Sequence, residues 1–248
     1  MIKVFSETFA NKENQPALIL KVNGATYSVM DRESVKSKIK EVISKFPKGL
    51  KLPKIYLLHG ALSSNEMNEL YNHPKIKAMV SFTHGEGFGR PLLEATLVGL
   101  PVIASGWSGQ LDFLSKDHSM LLGGNLNKIP QSAVWENVLI PESEWFTIDE
   151  PDASKALNFA FENEDSLKEA GKKLMKINRE KFSHQNMTKV LNGIVDNWMR
   201  FFDERHENVM EWQGGDGKMR HYSKEGRIVL SEPEPKAVPF KLPVLEKA

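Results

Sequence analysis

The sequence predicts an α/β fold, a parallel sheet with helices packed on its faces. Three patterns carry the prediction: a strand, glycine loop, helix, strand, glycine loop succession over residues 79–114, two earlier strand-like runs, and helical apolar stripes over residues 152–202. Taken in order, Ile2, Phe5 and Phe9 would share one face of a helix over Ile2 to Ala10, while the alternation of Ile2 and Val4 allows a very short strand. Pro16 to Val22 and Lys54 to Leu58 are strand-like, the second ending in the turn His59-Gly60. Ser63 followed by Glu66 forms a capping box that starts a helix carrying Met67, Leu70 and Tyr71.

Met79 to Phe82 is the next apolar run, followed by Gly85, Gly87 and Gly89. Pro91 suits the first turn of a helix running to about Val98 and stopping at Gly99. Pro101 then opens the strand Val102-Ile103-Ala104, which Gly106 and Gly109 break. This is a β-α-β unit with glycine loops at the carboxyl ends of both strands, where open α/β sheets bind ligands.

Met120 to Leu122 is a further strand, leading to Gly123-Gly124. Leu126 to Glu150, with Trp135 and Trp145, reads as an irregular excursion that packs over the site or covers a sheet edge. Helices follow over Asp152 to Asn163, Asp165 to about Lys181 and Gln185 to about Phe202, the first and last with apolar positions at helical spacing. Past Phe202 the turn clusters Gly214 to Gly217 and Ser223 to Gly226 surround short strand-like pieces such as Arg227 to Leu230, which predicts a small β appendage. Pro233, Pro235, Pro239 and Pro243 then punctuate an extended tail. The expected partition is one α/β domain over 1–202 and an appendage with its tail over 203–248.

Composition narrows the classes. With 248 residues and 40% hydrophobic content, the chain can bury one sizeable core. Thirty-three Lys and Arg against 32 Asp and Glu give a net charge of +1, no electrostatic footprint for nucleic acid or anionic membrane. No apolar run is long enough to span a bilayer, and the first residues lack the apolar centre of a signal peptide. The chain has no cysteine, so disulfides are excluded, and a cytoplasmic location is the default expectation.

Two glutamates give the β-α-β unit its chemistry. Glu86 lies in the first glycine loop and Glu94 about one turn into the helix. A loop with three glycines brings backbone N–H groups close to a ligand, and the helix N-terminus favours an anionic group. Glu94 alone reads more readily as an exposed or capping carboxylate that favours the helix dipole.

The string GEGFGRPLLEA followed by GLPVIAS resembles the signature of the retaining family-4 glycosyltransferases of the GT-B fold, the group 1 glycosyltransferases, in which two glutamates are separated by seven residues. IYLLHGALSSNEMNELYNHPKIKAMVSFTHGEGFG and WSGQLDFL extend the likeness to the donor-binding, C-terminal Rossmann-like half, from about Pro16 to about Leu191. The resemblance implies that Glu86 faces the transferred sugar near the reaction centre, that Gly87 and Phe88 contact sugar hydroxyls through their amides, and that Glu94 accepts ribose hydroxyls. It also implies donor contacts from Gly85, Gly89, Ser108 and Gly109. Gly60, Ala61 and Leu62 lie along the nucleobase in that comparison, or form an ordinary turn. Arg90, where the family usually has an aliphatic residue, meets a phosphate or stays solvated. His84 touches the ligand or serves the loop.

The implied reaction displaces a nucleoside diphosphate from an anomeric carbon with retention. N–H donors, a helix N-terminus and cations stabilise the leaving diphosphate, so the nucleoside-diphosphate sugar is substrate, no further cofactor is called for and a metal is not essential. The seven histidines are scattered and suggest no metal site.

By the same comparison, the acceptor site and the arginine and lysine that hold the diphosphate belong to sequence preceding Ile2, with a separate or missing N-terminal GT-B domain as the expected partner. The first, central strand would then be missing too, leaving unpaired edges unless the sheet reorganises, recruits Ile2 to Phe5 or borrows a strand. Two other classes stand beside this reading. One is a non-catalytic nucleotide-sugar-binding or protein-interaction module. The other is a glycoside hydrolase using Glu86 and Glu94, which fits poorly because its two carboxylates must flank one bond.

Overall fold

The computed structural model describes residues 1–205, 211–213, 219–222 and 228–231. Two compact units divide the chain, Met1–Ser183 and His184–Ala248. The first contains α1 (Ile2–Phe9), β1 (Leu18–Lys21), α2 (Val29–Ser44), β2 (Ile55–Leu58), α3 (Ser64–Asn72), β3 (Met79–Ser81), α4 (Arg90–Leu97), β4 (Val102–Ser105), a 3-10 turn (Gly109–Asp112) that follows the second glycine loop, β5 (Met120–Leu122), β6 (Gly124–Lys128), a short 3-10 piece (Gln131–Ala133), β7 (Glu144–Ile148), α5 (Glu150–Glu162) and α6 (Glu164–Lys181). The second contains α7 (His184–Arg205) and a meander of β8 (Glu211–Gln213), β9 (Met219–Tyr222) and β10 (Ile228–Ser231), paired antiparallel. The turn clusters at 214–217 and 223–226 and the tail from Glu232 lie outside the described residues.

The fold is α/β, with parallel sheets flanked by helices. β1 pairs with β2, Leu18 opposite Ile55, and β4 pairs on one side with β3 and on the other with β5. Every residue of β4 is buried, as expected of a strand covered on both faces. Its side chains alternate. Ile103 joins a cluster with Leu18, Leu20, Leu122, Ala153, Leu157 and the α1 residues Val4, Phe5 and Phe9. Val102 and Ala104 join the opposite cluster, with Leu92, Leu93 and Ala95 of α4, Leu174 of α6, Phe113 and Tyr71. Each fully buried side chain of this size contributes roughly 1.5–3 kcal/mol.

The amino-terminal residues form a helix and not a substitute strand. Phe5 and Phe9 pack as tilted rings within α1 at 5.0 Å, and Phe9 meets Phe161 of α5 edge-on at 5.5 Å. The β1-β2 and β3-β4-β5 sheets are separate ladders that share the first apolar cluster.

Caps mark the element ends where the sequence placed them. Ser63 and Glu66 form both arms of the capping box of α3. Gly99, at φ +79°, closes α4: its N–H bonds to Thr96 O and that of Leu100 bonds to Ala95 O, a Schellman motif.

Residues 23–53, given no element above, contain a helix, and one later region differs from expectation. Helix α2 carries a half-buried stripe of Val35, Ile39, Val42 and Ile43, with Ile39 packed against the first apolar cluster, and it is started by Ser28, whose hydroxyl accepts from the Asp31 N–H. The segment expected as an irregular excursion contains a ladder, β6 against β7, with Gly124 opposite Ile148 and Lys128 opposite Glu144. The asparagines of β6 give little strand propensity, so its conformation comes from pairing with β7. Gly124 is needed there, since a Cβ would lie 2.2 Å from Thr147 O.

Candidate functional site

The two glycine loops are locked to each other through one carbonyl. Glu86 O accepts from the Ser108 hydroxyl at 2.8 Å and from the Gly109 N–H at 3.0 Å. The chain has no cis peptide among the described residues, so the Gly87 N–H, in the same trans peptide unit, points away from the second loop. A Cβ on Gly109 would lie 2.2 Å from Gly87 O, which explains why the loops can approach only with glycine at that position.

Ser108 carries a backbone conformation of φ +73° and ψ −159°, a region nearly reserved for glycine that costs on the order of 1–3 kcal/mol. Its hydroxyl, bonded to Glu86 O, is what that strained geometry delivers. Beneath it, Gln110 is fully buried and donates to Ser105 O at 2.9 Å and Ser105 Oγ at 3.0 Å, tying the 3-10 turn to the end of β4.

Gly89 caps α4 in the left-handed region at φ +85° and is packed against Gln110, Leu92 and Phe113. Pro91 supplies no N–H, and the N–H groups of Leu92 and Leu93 turn back to Gly89 O. The end of α4 therefore offers an anion chiefly its dipole field. Phe88 is 39% exposed and packs its ring on Phe113 and Phe182, so its backbone is fixed from below.

Glu94 faces Arg90 one turn up the helix, Nε to Oε1 2.8 Å. Arg90 is 82% exposed and is committed to this carboxylate. Burial pushes the nearby Tyr71 phenol up from its ordinary range, and the Glu94 charge adds to the rise.

Aromatic rings connect the first loop to the β6-β7 arm. His84 stacks on Trp145 with ring centroids 4.0 Å apart and planes 3° apart, and its Nδ1 lies 2.7 Å from Phe146 O. The carbonyl only accepts, so Nδ1 carries the hydrogen. Trp107 stacks in turn on Phe146 at 5.6 Å. His84 thus has structural partners on the arm, a contact that nothing in the spacing of the sequence announced.

Hydrogen bonds and close approaches therefore bring together Gly85, Glu86, Gly87, Gly89, Ser108 and Gly109, since a Cβ on Gly85 would also touch Ser108. Gly60 and Leu62 belong to a different group. They lie in the β2-α3 loop, where Gly60 has φ +121° and its carbonyl accepts from Lys21 Nζ at 2.6 Å. His59 before them pairs with Asp31 at 2.8 Å. Among the described residues no cluster of three or more His, Cys, Asp or Glu could hold a metal ion.

The sequence model of the family described as glycosyl transferases group 1 matches residues 2–127, half of the chain. The chain belongs to that family. The match covers both glycine loops, α4 and the β2-α3 loop, so the locked carbonyl and the capped helix sit inside a group 1 glycosyl transferase domain. No curated protein matches the chain. A domain of this family implies glycosyl transfer and nucleotide-sugar binding. No described helix is long and apolar enough to cross a membrane.

Proposed function

We propose that the chain is the donor-binding half of a retaining GT-B hexosyltransferase. The observation that carries this is the double hydrogen bond onto Glu86 O, which orients the Gly87 N–H away from the second loop and holds it for a ligand hydroxyl. Glu86 is then the residue beside the transferred sugar, with Gly87 and Phe88 amides on its hydroxyls. Glu94 accepts the ribose hydroxyls and Gly60 and Leu62 lie along the base. Ser108 and Gly109 serve the donor at the second loop.

The reaction needs charge stabilised on the departing diphosphate as the anomeric bond breaks. The α4 dipole supplies part of it, and preorganised amides add donors without reorganising. Arg90 moves from Glu94 toward the phosphates or remains on Glu94. The acceptor enters from an amino-terminal GT-B domain, which also supplies the remaining cations. The first unit, Met1–Ser183, carries the donor site. A cytoplasmic setting agrees with a chain free of cysteine.

Calorimetric titration of the folded chain with UDP, GDP, ADP and their glucose and mannose conjugates tests this. Saturable binding of one nucleotide, lost in Glu94→Ala, is the expected result. A folded chain that binds none of them overturns the donor reading and leaves a non-catalytic interaction module.

A further inference from the structure

We infer that Asp31 and His59 are positioning residues for the nucleobase end of the donor site, a role that rests on the donor-binding reading above. The two side chains are 12% and 3% exposed, and His59 Nε2 lies 2.8 Å from Asp31 Oδ2. A carboxylate accepts, so Nε2 carries the hydrogen. The same carboxylate accepts from the Gly24 N–H at 2.8 Å and the Ala25 N–H at 3.0 Å. A side chain on Gly24 would displace the carboxylate, because a Cβ there would lie 2.3 Å from Asp31 Oδ1. Asp31 therefore holds the loop after β1 by its backbone and the loop after β2 by its histidine.

Lys21 completes the brace from β1 to Gly60 O. The two braced loops follow adjacent parallel strands, Lys21 standing opposite Leu58 in the ladder. Ligands of open α/β sheets bind outside such strand ends.

Stability is not all that the pair provides. Neither residue belongs to an apolar cluster, and α2 meets the core through Ile39, on its apolar stripe and not through Asp31. Placing a carboxylate and an imidazole out of water costs desolvation that an apolar pair of similar volume would avoid. What the pair provides is direction: three donors converge on one carboxylate and fix the loop that presents Gly60, Ala61 and Leu62. Backbone groups distinguish base edges only when their angles are fixed, so the pair governs discrimination among bases more than overall affinity.

The test is the ratio of dissociation constants for UDP, GDP and ADP, with inorganic pyrophosphate as a base-free probe, measured by calorimetry on the full chain. His59→Phe fills the volume without the hydrogen bond, and His59→Gln can restore an N–H donor. The expected result is that His59→Phe narrows the ratio between strongest and weakest nucleotide by about tenfold, the scale of one charge-assisted hydrogen bond. Pyrophosphate affinity stays unchanged and His59→Gln recovers most of the ratio. If His59→Phe does not fold, Asp31→Asn gives the same readout. Asn178→Ala, destabilised elsewhere in the domain, controls for a merely structural loss. A ratio preserved in both His59→Phe and Asp31→Asn, or one narrowed equally by Asn178→Ala, overturns the inference while the donor reading stands. A wild-type chain that binds no nucleotide overturns both.

Discussion

Arg90 and Glu94 form an ion pair one turn apart on α4, so the carboxylate assigned to ribose already has a partner of opposite charge. The pair is exposed, and such i,i+4 contacts are worth about 0.3–0.5 kcal/mol. Its weakness is functionally apt. A ligand can take Glu94 from Arg90 at little cost.

Arg90→Ala is therefore expected to change stability by less than about 0.5 kcal/mol, read by thermal unfolding. Glu94→Ala should lower nucleotide affinity by about tenfold or more, and by more than Glu86→Ala does. Equal or reversed losses in titration would remove Glu94 from the ribose. Glu86→Ala should instead depress transfer once activity is reconstituted with an acceptor domain.

Gly109→Ala tests the locked loops. Its Cβ meets the backbone atoms Gly87 O at 2.2 Å and Glu86 O at 2.8 Å, which cannot swing aside as a side chain would. The loops must separate, at about 1–3 kcal/mol for overpacking, and the Glu86 carbonyl loses its donors. Thermal unfolding and nucleotide-sugar titration should both fall. A variant with unchanged melting and affinity would contradict the close approach.

How much of this was legible beforehand follows from where each instruction is written. Capping boxes, left-handed glycines and apolar periods are local, so α3, α4 and the strands before both glycine loops could be read from Ser63, Glu66, Gly99 and the run Val102 to Ala104. The family signature carried Glu86 and Glu94 together with their neighbours. The Asp31 and His59 pair spans 28 positions and joins two polar side chains, which no apolar periodicity reports. The β6-β7 arm was obscured because its strand character depends on a partner about twenty residues away, and the stacking of His84 on Trp145 depends on that arm in turn.

Asn178 is the polar tie of the second apolar cluster. At 1% exposure it donates to Thr96 Oγ1 at 2.8 Å and to Phe113 O at 3.1 Å, joining α6 to α4 and to the end of the 3-10 turn. Asn178→Ala leaves the Phe113 carbonyl without that donor inside an apolar shell, with an expected loss of about 1–3 kcal/mol. Denaturant unfolding should show a lower midpoint with an unchanged slope. A neutral result would mean that water replaces the amide.

The acid limb of stability should depend on Asp31. The hydrogen bond from His59, followed by those from Gly24 and Ala25, brings its carboxyl down to about 2 from an ordinary value of 3.8. A carboxyl depressed on folding adds stability that is fully present above the unfolded value and is lost as pH falls through the folded one. The wild-type chain should therefore hold its Asp31 contribution from neutral pH to about 4 and lose it between about 4 and 2. Asp31→Asn lacks that titration, so the melting difference between wild type and variant should be constant above pH 5 and shrink below pH 4. Melting curves at intervals from pH 7 to 2.5 read this directly. A difference that stays constant across the acid range would show that the carboxylate is not held by the bonds that define the brace.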